Sequence, residues 1–416
     1  MPYGRFYGDV PSKVDFDRLR TERRAKARKA MEKYGLDALL CFVHENCRYL
    51  TMGPKNMFYR YVLFSRTADE PHLYDAGMIE DAWRRAGIQE KAGIKIARSI
   101  PFPPGLLPAN KPAFDFQLDK FTAQIKGALK DLDILDGKLG IDSPNPAVTN
   151  VLQQAGINVS PDGAMALTEA RTCKTQDEIE LIRISASIVE RGFQRAREVI
   201  KPGVTEQEVW AEIAKACWEA GPDGMDGGLV DSGPHTWPRA NVITDRIMRY
   251  GDIILIDIYN LSYFGYRTCY YRDFVIGPPT NAQKEAWEKA KELTWDSIRK
   301  IKPGVSTKDI CEGWPEAKTY EYPEADEEGG LLAQWAHGIG LTLYEPPMIS
   351  RAWALDYPEE IKEGMVIALE TLVPTNEKSG DYPHGQCLRI EEMFAVTKDG
   401  YDLLSKWPID EITRCW

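Results

Sequence analysis

Long apolar runs are missing from this 416-residue chain. Runs such as Ile-Ile-Leu-Ile at residues 253–256 are far shorter than the roughly 20 residues of a membrane-spanning helix. The opening residues, MPYGRFYGDVPSK, also lack the apolar core of a signal peptide. We therefore predict a cytoplasmic protein with no membrane partner.

Basic blocks of the kind that grip a phosphate backbone are missing too. The chain carries 63 acidic residues against 52 Lys and Arg, which gives a net charge of −11. This balance excludes nucleic acid as the expected partner and favours small cationic or zwitterionic ligands.

Paired cysteines are a third absence, because the eight cysteines occur without any CxxC spacing. Such scattered thiols are typical of a reduced protein rather than of a disulfide framework or a structural zinc site. An aromatic content of 10% excludes a disordered chain, and the length predicts two or three domains.

Helical and strand-like segments alternate along the first part of the chain, which predicts an α/β domain over residues 1–170. The predicted elements are a helix at 14–35, strands at 36–43 and 57–64, and a helix at 78–85. A long amphipathic helix at 174–200 then opens a second domain, residues 171–416.

An internal repeat organises the second domain. Residues 199–209 (VIKPGVTEQEV) recur 101 positions later as residues 300–310 (KIKPGVSTKDI). Each copy predicts a helix that stops at Pro-Gly, followed by a Thr or Ser that caps a new helix with an acid three residues on. Two predicted strands follow each copy, at 253–258 and 263–276 and at 365–373 and 387–396. We expect two similar halves with a site between them.

Three acids stand where a core is expected: Asp257, Glu370 and Glu391 lie inside apolar strands. An unpaired carboxylate there costs several kcal/mol, so each needs a cation, a metal or a raised pKa. Arg272 and Arg389 could neutralise them structurally, and His337, flanked by glycine, is either a core histidine or a ligand. Spacing alone predicts a carboxylate-lined site with one imidazole.

At these residues the sequence resembles the creatinase/aminopeptidase P family (M24). The resemblance implies a creatinase-type N-terminal α/β domain followed by a pita-bread catalytic domain with an internal pseudo-two-fold repeat. It rests on eight motifs in family order: Ser232-Gly-Pro-His-Thr236, Gly251-Asp-Ile-Ile-Leu-Ile-Asp257, Gly265-Tyr-Arg267, Arg272-Asp-Phe274, His337-Gly-Ile-Gly-Leu341, Glu345-Pro-Pro347, Glu363-Gly-Met-Val366 and Arg389-Ile-Glu391.

Metallopeptidases of this fold hold two divalent ions with two Asp, one His and two Glu. The resemblance places Asp257, His337, Glu370 and Glu391 in that set, whereas the second Asp falls on Cys269, twelve residues after Asp257. Cys269 is then a soft metal ligand, a nucleophile or an inert replacement. We predict less than a full pair of ions, with Fe, Zn or Mn as candidates and a metal-free site as the alternative.

Two further family elements differ. The catalytic His after Ser-Gly-Pro is replaced by Arg239 or Ala240, and a His before Glu-Pro-Pro is replaced by Tyr344. These changes disfavour ordinary Xaa-Pro hydrolysis.

Two non-peptidase branches are closer. Phe58 and Arg60 match the pair with which creatinase holds a substrate carboxylate in the neighbouring subunit's site, and Trp83 matches a creatinase position. The dimethylsulfoniopropionate lyases share the layout, but their extra Asp is Tyr259 here and their proposed base is Leu343.

We therefore predict a homodimeric hydrolase that cleaves a C–N bond in a small carboxylated substrate, cationic substrates included. His337, Glu370 and Glu391 are the predicted catalytic residues. The predicted substrate-binding residues are Phe58, Arg60, Trp83, His235, Tyr259 and Tyr344, with Arg60 acting across the dimer interface. A metal-dependent sulfonium-acid lyase, an Xaa-Pro dipeptidase and an inactive binding protein are the alternatives.

Overall fold

The computed structural model describes residues 14–52, 61–75, 93–98, 110–142, 145–316, 319 and 334–416. The chain divides into two compact units, Met1–Arg171 and Thr172–Trp416. None of the described helices combines the length and the apolar character needed to cross a bilayer.

The first unit is built on a six-stranded mixed sheet. Its strands are β1 (Ala38–Cys41), β2 (Tyr61–Ser65), β3 (His72–Asp75), β4 (Lys95–Arg98), β5 (Lys138–Ile141) and β6 (Asn158–Ser160), in the order β4-β3-β2-β1-β5-β6. Its helices are α1 (Phe16–Lys33), α2 (His44–Thr51), α3 (Lys111–Asp131), α4 (Pro146–Gln154) and α5 (Asp162–Thr172). Leu40, Leu63 and Phe121 lie in the core that joins the sheet to these helices.

The described elements of the first unit agree with the predicted α/β alternation. Helix α1 begins after Asp15, whose carboxylate accepts hydrogen bonds from the amides of Asp17 and Arg18. It ends just before Gly35, which adopts a left-handed φ of +64° that favours glycine. The predicted helix at 78–85 and the first part of the predicted strand at 57–64 lie outside the described residues.

The second unit carries helices α6 to α10 and strands β7 to β18. The helices are α6 (Gln176–Val199), α7 (Glu206–Glu219), α8 (Asn281–Ile298), α9 (Thr307–Cys311) and α10 (Arg351–Ala354). The first strands are β7 (Gly224–Met225), β8 (Leu229–Ser232), β9 (Ile253–Asp257), β10 (Leu261–Tyr263), β11 (Tyr266–Arg267) and β12 (Tyr271–Ile276). The remaining strands are β13 (Gln334–Gly338), β14 (Glu345–Ile349), β15 (Val366–Pro374), β16 (Cys387–Val396), β17 (Tyr401–Leu403) and β18 (Thr413–Cys415).

The sequence repeat is also a structural repeat. Thr205 with Glu208, and Ser306 with Asp309, form capping boxes at the starts of α7 and α9, as the sequence predicts. The two caps make equivalent isolated bridges, from Thr205 to Ile247 and from Ser306 to Glu360. Each half thus places a helix pair ahead of the strands that carry the acids.

Two sheets of the second unit carry those strands. One has the order β18-β12-β9-β8, and the other has the order β14-β13-β15-β16-β17. The prediction of one strand over 263–276 is wrong, because Phe264 and Gly265 both have positive φ and close a two-residue hairpin between Tyr263 and Tyr266. The strand resumes as β12, opposite Asp257.

Candidate active site

Three of the predicted residues share one face of the five-stranded sheet. Glu370 on β15 lies directly opposite Glu391 on β16 and opposite Trp335 on β13. Opposed residues share a face of a sheet, and so do residues two apart on one strand, which adds His337 to this face. All three ionisable side chains are buried.

Cys269 completes a group of four ligand atoms. One atom each from Cys269, His337, Glu370 and Glu391 lies within 4.8 Å of the others. Nδ1 of His337 lies 2.9 Å from the carbonyl oxygen of Gly338 and donates to it, which leaves the lone pair on Nε2. Nε2 lies 3.6 Å from Oε1 of Glu370 and has no hydrogen-bond partner among the described residues.

This group fits one divalent ion. Neither carboxylate oxygen of Glu391 accepts a hydrogen bond from nitrogen or hydroxyl in the described part of the chain. Burial, together with Glu370 and Asp257, raises the pKa of Glu391 well above its usual value, and burial followed by Glu391 does the same for the Cys269 thiol. A cation would relieve both effects. One thiolate, one imidazole and two carboxylates form a donor set suited to Zn or Fe.

Asp257, the fifth predicted ligand, is held by an arginine instead. Nη2 of Arg239 lies 2.6 Å from Oδ2 of Asp257, and the two side chains are 16% and 5% exposed. A second ion would need this carboxylate and a second Asp, and Cys269 stands in place of the latter. The residues therefore do not fit a dinuclear centre.

The loop that carries Arg239 is anchored by a buried acid. Glu206, at the start of α7, accepts hydrogen bonds from the amides and hydroxyls of Ser232 and Thr244. Nδ1 of His235 lies 3.0 Å from Oε1 of the same carboxylate. His235, a predicted substrate-binding residue, is therefore partly buried and bound to Glu206, four positions before Arg239.

Two further buried groups lie near the predicted residues, and no signal in the sequence pointed to Asp231. Neither oxygen of Asp231 on β8 has a hydrogen-bond partner in the described ranges, and burial raises its pKa to about 7. Burial, followed by Glu370 and Glu391, raises the pKa of the Tyr271 phenol. Its hydroxyl likewise has no described hydrogen-bond partner. Tyr271 on β12 lies directly opposite Asp257 on β9, so the two side chains share a face of the sheet.

Aromatic rings lie beside the imidazole. The Tyr344 ring is 4.7 Å from His337 and 5.6 Å from Trp335, centroid to centroid, and Tyr344 is 51% exposed. Burial and then Cys269 and Glu370 raise the pKa of its phenol, as expected for a hydroxyl that faces the acids. Tyr259 packs against the cluster of Leu229, Leu255 and Tyr271.

Among the other predicted residues, the two arginines are described and three substrate-binding residues are not. Phe58, Arg60 and Trp83 lie outside the described residues. Arg272 forms a 2.6 Å ion pair with Glu392, and its charge acts on Glu391 as a lesser effect. The amide of Arg389 donates to Asp273, and the charge of its side chain opposes the rise in the pKa of Asp257, as the structural alternative expects in part.

Comparison with known proteins gives relatives with several activities. The Xaa-Pro dipeptidase of Pyrococcus furiosus is 29% identical over 58% of this chain and 65% of its own length. The dimethylsulfoniopropionate lyase DddP of Roseobacter denitrificans is 26% identical over 71% of this chain and 65% of its length. Creatinase of a Bacillus species is 24% identical over 93% and 90%. The chain thus spans just under two thirds of the dipeptidase and of the lyase.

Solved structures agree with the predicted fold. The Xaa-Pro dipeptidase of Bacillus anthracis superposes with a TM-score of 0.70 at 21% identity, covering 95% of this chain and 99% of that one. The predicted two-part architecture with a pita-bread fold is confirmed. Residues 180–398, more than half of the chain, match the sequence profile of metallopeptidase family M24. The resemblance read from the motifs is therefore confirmed, and the chain belongs to metallopeptidase family M24.

Proposed function

We propose that this chain is a small-molecule hydrolase of family M24 that cleaves a C–N bond in a carboxylated substrate, cationic substrates included. One observation carries the proposal: four ligand atoms converge within 4.8 Å while Asp257 is held by Arg239. The site therefore suits one divalent ion rather than the pair used by the family's peptidases.

The residues divide the chemistry between them. A divalent ion held by Cys269, His337, Glu370 and Glu391 would supply Lewis-acid polarisation of the substrate. Glu370 is the carboxylate of this group with the larger exposed fraction, so it accepts the proton of the attacking water. In the metal-free alternative, Nε2 of His337 takes this proton, because its lone pair is free of hydrogen bonds in the described structure.

We assign substrate binding to the rings of Trp335 and Tyr344 and to residues of the first unit. Tyr344 and Trp335 place two aromatic rings beside the imidazole of His337, and aromatic rings attract desolvated cations. Arg60, with Phe58 and Trp83, binds the substrate carboxylate across a homodimer interface, as the resemblance to creatinase implies. Loss of Arg60 should then raise KM and leave kcat nearly unchanged.

A lyase acting on sulfonium acids is the second candidate, because DddP matches 71% of this chain. Leu343 stands where those lyases have their proposed base, which favours hydrolysis over elimination. An Xaa-Pro dipeptidase or an inactive binding protein fits less well. An Xaa-Pro dipeptidase of this family uses two ions and two histidines, and the residues at those positions differ here. An inactive binding protein has no reason to keep buried ionisable groups.

The test is turnover of four substrate classes by the purified protein with Zn²⁺, Fe²⁺, Mn²⁺ or chelator: creatine-like compounds, betaines, dimethylsulfoniopropionate and Xaa-Pro dipeptides. We expect hydrolysis of a compound from the first two classes. Substitution of His337 by Ala should lower kcat for that compound by roughly 10²–10⁴-fold. His384→Ala, which removes an exposed imidazole, is the matched control. Release of an unsaturated acid from dimethylsulfoniopropionate alone would contradict hydrolysis.

A further inference from the structure

Arg239 faces two buried carboxylates inside the site. Its Nη2 lies 2.6 Å from Oδ2 of Asp257, and its Nε lies 3.8 Å from Oδ2 of Asp231. Asp231 is fully buried, and Asp257 is nearly so. Burying carboxylates without a cation is costly, so the guanidinium stabilises both.

Charge balance explains why one such cation is needed beside a single ion. Four buried carboxylates surround the site, namely those of Asp231, Asp257, Glu370 and Glu391. With Cys269 bound as a thiolate, the four ligands carry three negative charges, so a divalent ion cannot also balance Asp257 and Asp231, which Arg239 and, more weakly, Arg389 offset. Burial alone lowers the pKa of Arg239, but Asp257 and Glu370 raise it above its usual value, so the guanidinium stays charged.

The loop around Arg239 is held in place on both sides. Thr236 forms an isolated bridge with Arg239. The Thr236 hydroxyl donates to the carbonyl of Gly233 at 2.6 Å and accepts from the amide of Cys387 at 3.1 Å. The amide of Ala240 donates to the carbonyl of His235 at 2.9 Å. Arg239 therefore enters the site from a braced turn.

We propose that Arg239 is a resident cation that takes the place of a second divalent ion in this M24 site. It binds Asp257, which would otherwise serve that ion, and its charge repels a second cation from the same carboxylates. The inference rests on the single-ion centre of the proposed function. It also goes beyond the Cys269 replacement, because it predicts that restoring an aspartate at position 269 is not enough to restore a pair.

The experiment counts ions in the purified wild type and in three variants, each dialysed against Mn²⁺ and then against buffer. We expect at most one Mn²⁺ per chain in the wild type and in Cys269→Asp. The double variant Arg239→Ala/Cys269→Asp should hold about one ion more than Cys269→Asp. Arg239→Lys/Cys269→Asp keeps the positive charge and should stay at the lower number.

A matched control separates the loss of a particular cation from the loss of any buried ion pair. Arg246 binds Asp252 at 2.7 Å, with side chains 15% and 0% exposed, in the same unit. Arg246→Ala/Cys269→Asp should keep the stoichiometry of Cys269→Asp. Two ions in Cys269→Asp with Arg239 present, or no increase on removing Arg239, would overturn the assignment.

Folding of the variants is followed by thermal unfolding. If Arg239→Ala unfolds, Arg239→Met keeps the apolar stem without the charge and serves in its place. Mn²⁺ should raise the Tm of the Arg239 double variant more than that of the Arg246 control; an equal rise contradicts the proposal. These measurements involve no substrate. Failure of every compound in the substrate panel would contradict the proposed reaction while the stoichiometries still decided the role of Arg239.

Discussion

Glu370 and Glu391 are direct cross-strand neighbours on β15 and β16, with both side chains buried on the face that carries His337. Like charges in this position destabilise a sheet. Burial and Glu370 accordingly raise the pKa of Glu391. A cation bound between the two carboxylates would stabilise the pair. The stability of the protein should therefore depend on bound metal, which can be measured.

Removal of metal should destabilise the second unit, and the identity of the added ion should matter. After chelation, Zn²⁺ or Fe²⁺ should raise the Tm, with about 2.7 kcal/mol of stabilisation at a hundred-fold excess over Kd. Mg²⁺ should have little effect, because it prefers oxygen ligands to the Cys269 thiolate. Differential scanning calorimetry checks this. In the control variant Cys269→Ser, the rise in Tm with Zn²⁺ or Fe²⁺ should come closer to the rise with Mg²⁺. Equal stabilisation by Mg²⁺ would contradict the four-ligand set.

Asp231→Asn should stabilise the metal-free protein increasingly as the pH rises. The folded-state pKa of Asp231 is about 7 against an ordinary value of 3.8, so folding favours the protonated form. Its contribution to stability is thus lost as pH rises from near the ordinary value through the folded-state pKa. The gain from Asn should approach, at most, about 4 kcal/mol above that range. Urea unfolding at about pH 5 and about pH 8 measures it. Asp381→Asn removes an exposed carboxylate and should show no such trend.

Lys174 and Glu345 should behave as a buried ion pair. Nζ and Oε2 are 2.9 Å apart, and both side chains are 1% exposed. Lys174→Met should cost about 3–5 kcal/mol of unfolding free energy, because it leaves a buried charge alone. Lys174→Met/Glu345→Leu should recover much of that loss. A double-mutant cycle by urea unfolding checks this.

The partly exposed pair of Arg183 and Asp402, with side chains 29% and 47% exposed, provides the comparison for that cycle. Arg183→Met should cost less than about 1 kcal/mol. A cost for Lys174→Met no larger than this would show that the buried pair does not stabilise the fold. Glu345 also accepts a hydrogen bond from the amide of Thr342. We therefore expect loss of the Lys174–Glu345 pair to loosen the loop that carries Tyr344.

Tyr344→Phe and Tyr344→Ala separate the ring from the hydroxyl. If the ring binds the substrate cation, Tyr344→Phe should leave kcat and KM nearly unchanged. Tyr344→Ala should raise KM by roughly 5–30-fold. Steady-state kinetics on the substrate found in the screen measures this, with the exposed Tyr357→Ala as control. A hundred-fold loss of kcat in Tyr344→Phe would instead identify the phenol as a proton donor.

Local chemistry determined much of the fold from sequence alone. The helix predicted at 174–200 is Gln176–Val199, and both repeated caps form as predicted, because a capping box is decided by residues three apart. The error at 263–276 is local as well: a two-residue turn at Phe264-Gly265 interrupts a run that reads as one strand.

The sequence also determined which ionisable residues were predicted to form the site. Asp257, Glu370 and Glu391 stand in apolar strands, where solvation cost alone makes a carboxylate conspicuous. The flanking glycine drew attention to His337, and the family motifs added Cys269. Four of these five converge in the structure.

Only the tertiary structure decided how the charges pair. Asp257 and Arg239 are 18 residues apart, and Arg239 lies in a loop with no periodic pattern. Its partner depends on how that loop is braced against Glu206 and Cys387. Register between strands likewise set Glu370 opposite Glu391. Such long-range geometry is fixed by packing and hydrogen bonding of the whole unit, so no local signal in the sequence distinguishes a second metal site from a guanidinium that fills it.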